Sequence, residues 1–285
     1  MNTTLSALLS LALCVTHLKA VTGNRQEAGE SVGAPARQAS AKPSPQKYPL
    51  LLDFETLQTL QSNDPTHRLA KQNVRKTAAR SDSLHVKRLT LPDAHTDLLA
   101  PFVDVTQLFL CHAHGKHFPQ LPCPEKLTHV ILQHTSFESI EGLKTLASLH
   151  TLHLLGLADQ KKDTRPDPKE FLAPLTALNG LHELCCFNTF TFDGTRPEHT
   201  ETMVKMIQNN QELEKFHCDG CPAPEVLDAL TPVSLNDLRL GHSNIDDETL
   251  ARLPLGQLEA LDLYGNNLVT LDPLRYKFPR FKAGP

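Results

Sequence analysis

The sequence predicts an α/β solenoid, in which a curved parallel sheet of about eight strands follows an N-terminal helical cap. One short apolar pattern recurs eight times from residue 86 onward, and its copies follow each other at nearly regular intervals. Leucine fills most of the apolar positions in a chain that has no Trp and only three Tyr. Short repeated units of this kind each form one supersecondary element and bury their apolar side chains by stacking on their neighbours.

Each copy of the pattern has apolar residues at its first, fourth and sixth positions, and a small or polar residue at its ninth. The copies begin at Val86, Val105, Leu127, Leu149, Leu181, Leu213, Leu235 and Leu258. Their starts are 19, 22, 22, 32, 32, 22 and 23 residues apart. The alternation between the fourth and sixth positions is that of a strand with one buried face. We therefore expect one short strand per unit, with a helical or irregular segment leading to the next strand.

The pattern resembles the leucine-rich repeat superfamily. The unit LTHVILQHTSFESIEGLKTLAS has further apolar residues at Phe137, Ile140, Leu143 and Leu146. This spacing is similar to the 22-residue subclass found in the internalins and in the protein phosphatase 1 regulatory subunit. The resemblance covers about residues 84 to 278 and implies a binding module. The turn asparagine of the family occurs only at Asn266, so the turns after the other strands are expected to be less regular. The departures are Ala113, Thr135, Leu157, Thr189, Cys221 and Ser243.

The two 32-residue spacings indicate insertions between strands. The first contains a charged, proline-bearing loop from Asp159 to Pro168, followed by a helix-like stretch over residues 171–178. The second predicts a helix from about Glu198 to Asn209, with Met203, Met206 and Ile207 packed inward. Both insertions are expected on the outer side of the solenoid.

Residues before the repeats divide into three segments. Residues 1–23 contain the apolar run Leu5 to Val15 and are typical of a signal peptide cleaved after Gly23, with a buried N-terminal helix as the alternative. Residues 24–47 contain no aromatic residue and no Leu, Ile or Met, which predicts a disordered linker. Residues 48–83 are predicted to form the helical cap, and residues 84–285 are predicted to form the leucine-rich repeat domain. A signal peptide would make the protein exported: secreted, at the cell surface or periplasmic.

The cap prediction depends on two amphipathic stretches. In the first, Leu50, Phe54, Leu57 and Leu60 share one helical stripe. The second is a basic helix from Thr66 to Ala79. A solenoid needs such a cap because its first repeat would otherwise expose the core.

The variable strand positions are expected to point to solvent on the concave face, which is the usual binding surface of solenoids. One column of this face is predicted to begin at Thr90 and another at Pro92. The columns combine an apolar patch with histidine and charged residues, and such patches commonly mark interaction sites. The residues predicted to bind a protein partner are Phe109, Ile131, His153, Leu155, Phe187, His217, Arg239 and Tyr264.

A metal-binding function is the alternative. His153, Cys185 and His217 fall in one column on consecutive strands and offer ligands that zinc or copper accepts. A second group of histidines and cysteines lies close together in residues 111–123 but lacks zinc-finger spacing. Cys186 and Cys218 occupy the same buried position on neighbouring strands, either as small apolar residues or as a cross-strand disulfide.

Composition and motifs argue against several other functions. The net charge of −4 does not suggest nucleic acid, which requires a strongly basic face. The sequence has no glycine-rich phosphate loop, no G-x-S-x-G elbow and no H-E-x-x-H helix. We therefore expect no cofactor and no enzymatic activity, although a Cys185 nucleophile with His153 or His217 as its base can be drawn.

Overall fold

The computed structural model describes most of the repeat region. The described residues are 50–53, 72, 73, 76, 81–87, 90, 91, 99, 102–157, 168–187, 197–220, 223–253, 255–272 and 274. The chain divides into residues 1–45 and 46–285, and every described residue belongs to the second unit. The predicted signal peptide, the linker and the loop 159–167 lie outside the described residues.

Twelve strands form the framework of the described region. They are β1 (Leu50–Asp53), β2 (Ser83–Lys87), β3 (Thr90–Leu91), β4 (Gln107–Cys111), β5 (His114–His117), β6 (His129–Gln133), β7 (Ser136–Ser139), β8 (Thr151–Leu155), β9 (Glu183–Phe187), β10 (Lys215–Asp219), β11 (Asp237–Gly241) and β12 (Ala260–Asp262). Nine of them make one parallel sheet in the order β1-β2-β4-β6-β8-β9-β10-β11-β12, and β3, β5 and β7 make a second sheet. The eight repeat strands from β2 to β12 confirm the predicted solenoid.

The register of the large sheet follows the leucine pattern from β4 onward. Leu108 pairs with Val130, which pairs with Leu152, and the same position continues to Leu261 in β12. Most of these residues and their partners two positions later are almost completely buried. Because side chains alternate along a strand, the other positions lie on the opposite face. The leucines thus form one continuous core under the sheet.

The predicted register of the first repeat was wrong. Leu84 pairs with Leu108 and Val86 with Leu110, so β2 begins 24 residues before β4. Thr90 and Leu91, which were expected in this strand, form β3 of the second sheet and pair with His114 and Gly115. The sequence SLHVKRLTL alternates apolar residues in two registers five residues apart, and pattern alone does not distinguish them.

The cap begins with a strand rather than the predicted helix. Leu50–Asp53 form β1, which pairs in parallel with β2 and places Leu50 beside Leu84. Leu50 and Leu52 are both buried, so β1 extends the core by one strand beyond the first repeat. Gln72, Asn73 and Lys76 are helical and lie within the predicted basic helix. The cap therefore combines strand and helix.

The return segments contain short helices as well as the second sheet. The α-helices are α1 (Pro168–Leu172), α2 (Pro197–Asn209), α3 (Pro224–Leu230) and α4 (Asp247–Arg252). Single 3₁₀ turns occur at Pro124–Lys126, Glu141–Thr145, Ala173–Ala177 and Leu255–Gln257. Helix α2 confirms the predicted insertion helix, and Met203, Met206 and Ile207 are buried as expected. In the described part of the chain, no helix has the length and apolar character needed to cross a bilayer.

Candidate functional site: the open face of the large sheet

The open face of the nine-stranded sheet, opposite the leucine core, is the predicted concave face. Its central column consists of one residue from each repeat strand. In order it reads His85, Phe109, Ile131, His153, Cys185, His217, Arg239 and Asp262. This column was predicted to begin at Thr90, and His85 takes that place because of the register change in the first repeat. Adjacent strands lie about 4.8 Å apart, so neighbours in the column are close enough for contact.

An apolar strip crosses the open face from β4 to β9. Phe109, Ile131 and Phe187 are half-buried and therefore keep accessible surface. Leu155, which was expected to be exposed with them, is only 6% exposed. The strip is extended by ring contacts at both ends: His85 lies 5.3 Å from Phe109, and His217 lies 6.2 Å from Phe187. The accessible apolar surface of the strip is thus mainly aromatic.

A polar cluster lies beside the strip on β8, β9 and β10. Nε2 of His153 is 2.7 Å from Oε1 of Glu183, and Nζ of Lys215 donates to Oε2 of the same carboxylate at 3.2 Å. Burial raises the pKa of Glu183, but the hydrogen bond and charge of His153 together with Lys215 outweigh it and lower the pKa to about 2. Glu183 is therefore held ionised between two partners.

A second polar cluster repeats this arrangement on β10 and β11. Nε2 of His217 lies 3.2 Å from Oδ2 of Asp237 but is not aligned for a hydrogen bond. Arg239 donates to both oxygens of Asp237, from Nε at 3.1 Å and from Nη2 at 3.0 Å. Burial raises the pKa of Asp237, yet the imidazole of His217 and the guanidinium of Arg239 hold it well below its usual range. In both clusters a histidine in the central column faces a carboxylate at the first position of the next strand.

The structure places the three predicted metal ligands in one column. Cys185 pairs in register with His153 on one side and His217 on the other. Both histidines face carboxylates, and Cys185 is only 3% exposed. Within the described ranges, no group of three or more His, Cys, Asp or Glu residues is arranged to hold a metal ion. The same holds for the histidines and cysteines of residues 111–123, all of which are described.

In the described region, Cys186 and Cys218 match the alternative of small apolar residues and not that of a disulfide. Cys186 and Cys218 pair in register on β9 and β10, both are buried, and neither forms a disulfide. Burial raises the pKa of the Cys186 thiol, with Asp219 adding to the effect. These two residues therefore act as small apolar core residues.

The other predicted binding residues lie at the margin of the face or are buried among their neighbours on it. Tyr264 is 74% exposed and follows the end of β12, where its ring contacts that of His242 at 5.2 Å. His217 is on the face but only 3% exposed, so it packs among its neighbours there and offers little surface of its own. Sequence reasoning missed the column formed by the first residue of each strand, which supplies Glu183, Lys215 and Asp237. The signal was present, since these residues lie two positions before the central column in the same register.

We expect acid to weaken the fold through Glu183. Because the folded pKa of about 2 is below the ordinary value of 4.5, the contribution of Glu183 is fully present above about pH 4.5 and is lost as the pH falls toward 2. Replacing Glu183→Gln should make the free energy of unfolding depend less steeply on pH in this window. Urea unfolding at several pH values measures that slope. Glu212→Gln, at a side chain that is 83% exposed, is the control and should keep the wild-type slope.

The fold and this face define a class of structure: a solenoid of short leucine-bearing repeats, one strand to each repeat, with a mixed apolar and charged sheet surface. No family model and no curated protein matches the chain. Among solved structures, internalin C2 from Listeria monocytogenes is similar at 19% identity and a TM-score of 0.43, over 70% of this chain and 78% of that one. The mouse RP105/MD-1 complex matches at 15% identity and a TM-score of 0.45, and a TLR13–ssRNA13 complex at 17% and 0.41. This chain spans 33% and 28% of the chains in those two complexes.

Proposed function

We propose that the chain is a recognition module without catalytic activity, which binds a protein partner through the open face. The observation that carries the proposal is the strip of half-buried Phe109, Ile131 and Phe187, which lie on β4, β6 and β9 of one sheet. Partly exposed aromatic side chains in a shallow, rigid surface are the usual anchors of protein interfaces. A rigid sheet also keeps the entropy cost of binding low, because the anchors are ordered before the partner arrives.

The polar clusters give the proposed interface its specificity. Glu183 and Asp237 are satisfied by partners within the chain, so contact with a protein does not bury an unpaired carboxylate. His153 lies on β8, between the strands of Ile131 and Phe187, and Arg239 lies on β11 beside His217, so both offer polar contacts on the same face. Leu155 and His217 are buried on the same face and hold their neighbours in place by packing, and Tyr264 extends the surface at the margin.

A protein partner fits this face better than a nucleic acid. The basic groups Lys215 and Arg239 are already paired with carboxylates of the same face. Binding to a phosphate backbone depends on cations that replace counterions, and paired cations supply little of that effect. We also propose that the module acts after export, in a secreted, cell-surface or periplasmic location, because of the apolar run from Leu5 to Val15.

The double substitution Phe109→Glu with Phe187→Glu tests the proposal. It places two carboxylates in the strip, and we expect partner retention on an affinity support to fall at least about tenfold. Proteins retained by the immobilised wild-type chain are quantified by mass spectrometry and compared with those retained by the variant. Thermal unfolding of both chains verifies that the variant is folded.

The control introduces two carboxylates elsewhere. Ala147→Glu and Gln208→Glu change exposed positions on return segments, so partner retention should remain at the wild-type level. Equal retention by a folded open-face variant and by this control would show that the partner binds another surface.

A further inference from the structure

A small cavity on the core side of the large sheet brings together three sulfur-bearing side chains. It is lined by Cys186 from β9, by Met203 and Met206 from α2, and by three leucines. We propose that Cys186, Met203 and Met206 bind one Cu(I) ion in this cavity. The proposal concerns the side of the sheet opposite the open face and does not depend on the function assigned to that face.

The fold directs these three side chains to one place. Met203 and Met206 are two of the three methionines in the chain, and both are buried. They lie three residues apart on α2, so they are neighbours on one face of the helix. Cys186 pairs in register with Leu154 on β8 and Cys218 on β10, and all three are buried in the core. A strand and a helix therefore supply the sulfur side chains from two sides of the cavity.

The cavity has the size and the surface for a single soft ion. Its volume is about 10 Å³, which accommodates one water-sized sphere. Its wall carries no polar surface, and water is held poorly where it finds no polar partners. His199 and Thr202 also line the cavity, but both have contacts elsewhere in the fold and are not required as ligands.

The donor set favours Cu(I) over other metal ions. Thiolate and thioether sulfur are soft ligands, which Cu(I) prefers, whereas zinc takes cysteine, histidine and carboxylate ligands. Charge leads to the same choice. The single positive charge of Cu(I) cancels that of the Cys186 thiolate, whereas a divalent ion would leave a net charge buried in an apolar core.

Binding of Cu(I) requires the Cys186 thiol to lose its proton. Burial raises the pKa of this thiol, with Asp219 adding to the effect, so the thiol is neutral when no metal is bound. A copper–sulfur bond replaces the sulfur–hydrogen bond, the proton passes to the solvent, and the copper remains Cu(I). Because one proton is released for each ion bound, the apparent Kd should fall about tenfold for each unit rise in pH.

The test is a competition titration of the full chain against the bis-bicinchoninate complex of Cu(I), without oxygen, at about pH 6.5 and about pH 7.5. We expect the chain to remove Cu(I) from the complex, with a Kd about tenfold lower at the higher pH. The double variant Met203→Leu with Met206→Leu should bind Cu(I) at least about 100-fold more weakly. Leucine has a similar volume, so this variant should remain folded. Cu(I) should also raise the unfolding temperature of the wild type and not that of the variant.

Two buried cysteines on adjacent strands provide a matched pair of variants. Cys186→Ala removes the proposed thiolate and should lose Cu(I) affinity as the methionine variant does. Cys218→Ala removes the neighbouring core thiol, which does not line the cavity, and should keep the wild-type Kd.

Three results would overturn the proposal. The first is a wild-type chain that leaves Cu(I) with bicinchoninate at both pH values. The second is an equal Kd in the Cys186→Ala and Cys218→Ala variants, which would mean that other thiols or imidazoles of the chain hold the copper. The third is a rise in unfolding temperature with Zn(II) and none with Cu(I).

Discussion

Replacing Asn210→Ala should destabilise the protein by about 3 kcal/mol, the largest loss we expect from any single polar substitution. Oδ1 of Asn210 accepts hydrogen bonds from the backbone N–H groups of Gly180 and Leu181, each at 2.7 Å. Its Nδ2 donates to the carbonyl oxygens of Leu178 at 3.0 Å and Met206 at 2.7 Å. Alanine removes all four bonds and leaves backbone groups of two neighbouring repeats without partners at a site that is 3% exposed.

The adjacent residue provides a matched control for Asn210. Asn209 is exposed, and its Nδ2 makes a single hydrogen bond to the Thr176 carbonyl at 2.7 Å. We expect Asn209→Ala to cost less than about 1 kcal/mol, because water replaces the lost bond. Urea unfolding compares the two variants, and the Asn210 variant should also melt roughly 10 °C below the wild type. Equal stabilities would mean that the amide network of Asn210 contributes nothing beyond that of a surface residue.

The role of Asn210 illustrates what pattern reasoning detects and what it misses. Asn266, at the consensus position of the resembled family, accepts from the N–H groups of Ser243 and Ile245 and donates to the carbonyls of Leu240 and Leu263. Asn210 makes the same number of bonds at the end of helix α2, within an insertion that has no consensus. The repeat motif identifies Asn266, whereas the hydrogen bonds of Asn210 depend on where helix α2 ends in the folded structure.

The strand register was predictable wherever leucine spacing allowed one solution. From Leu108 to Leu261 the alternation of apolar residues and the interval between units both indicated the observed register. A slip of one residue would turn the leucines to solvent, so the apolar pattern excludes it. The first repeat offered two solutions, and only the pairing of Leu84 with both Leu50 and Leu108 selects between them. That pairing is a tertiary contact, which the local pattern does not contain.

The columns of the open face were also predictable, but the exposure of their members was not. Strand alternation correctly placed Leu155, Cys185 and His217 on that face, yet all three are buried. Burial on a sheet surface depends on the size and direction of side chains on the neighbouring strands, which alternation does not determine. The contact between His153 and Glu183 was missed for the same reason, because it joins residues of two different columns on adjacent strands.

Either histidine or glycine occupies the position directly after five of the strands, and the second large prediction concerns this position. The residue that follows the strand has a positive φ at His112, His134, Gly156, Gly220 and His242. His134 lies over Gly156 so closely that a Cβ atom on Gly156 would be 2.5 Å from its Nδ1 and 2.8 Å from its Cε1. His134 is also stacked on His112, so its ring has little room to move aside.

Replacing Gly156→Ala should therefore cost about 2 kcal/mol, of which about 1 kcal/mol reflects the positive φ of +65° and the rest the collision with His134. Gly256→Ala is the control: its added Cβ meets no atom within 4 Å, and we expect a change of less than about 0.5 kcal/mol. Urea unfolding of the double variant His134→Ala with Gly156→Ala separates the two causes. If the collision contributes, glycine-to-alanine substitution should cost about half as much in the His134→Ala background as in the wild type, since only the backbone strain remains. An equal cost in both backgrounds would show that the imidazole moves aside freely and that the stacked rings do not restrain the turn.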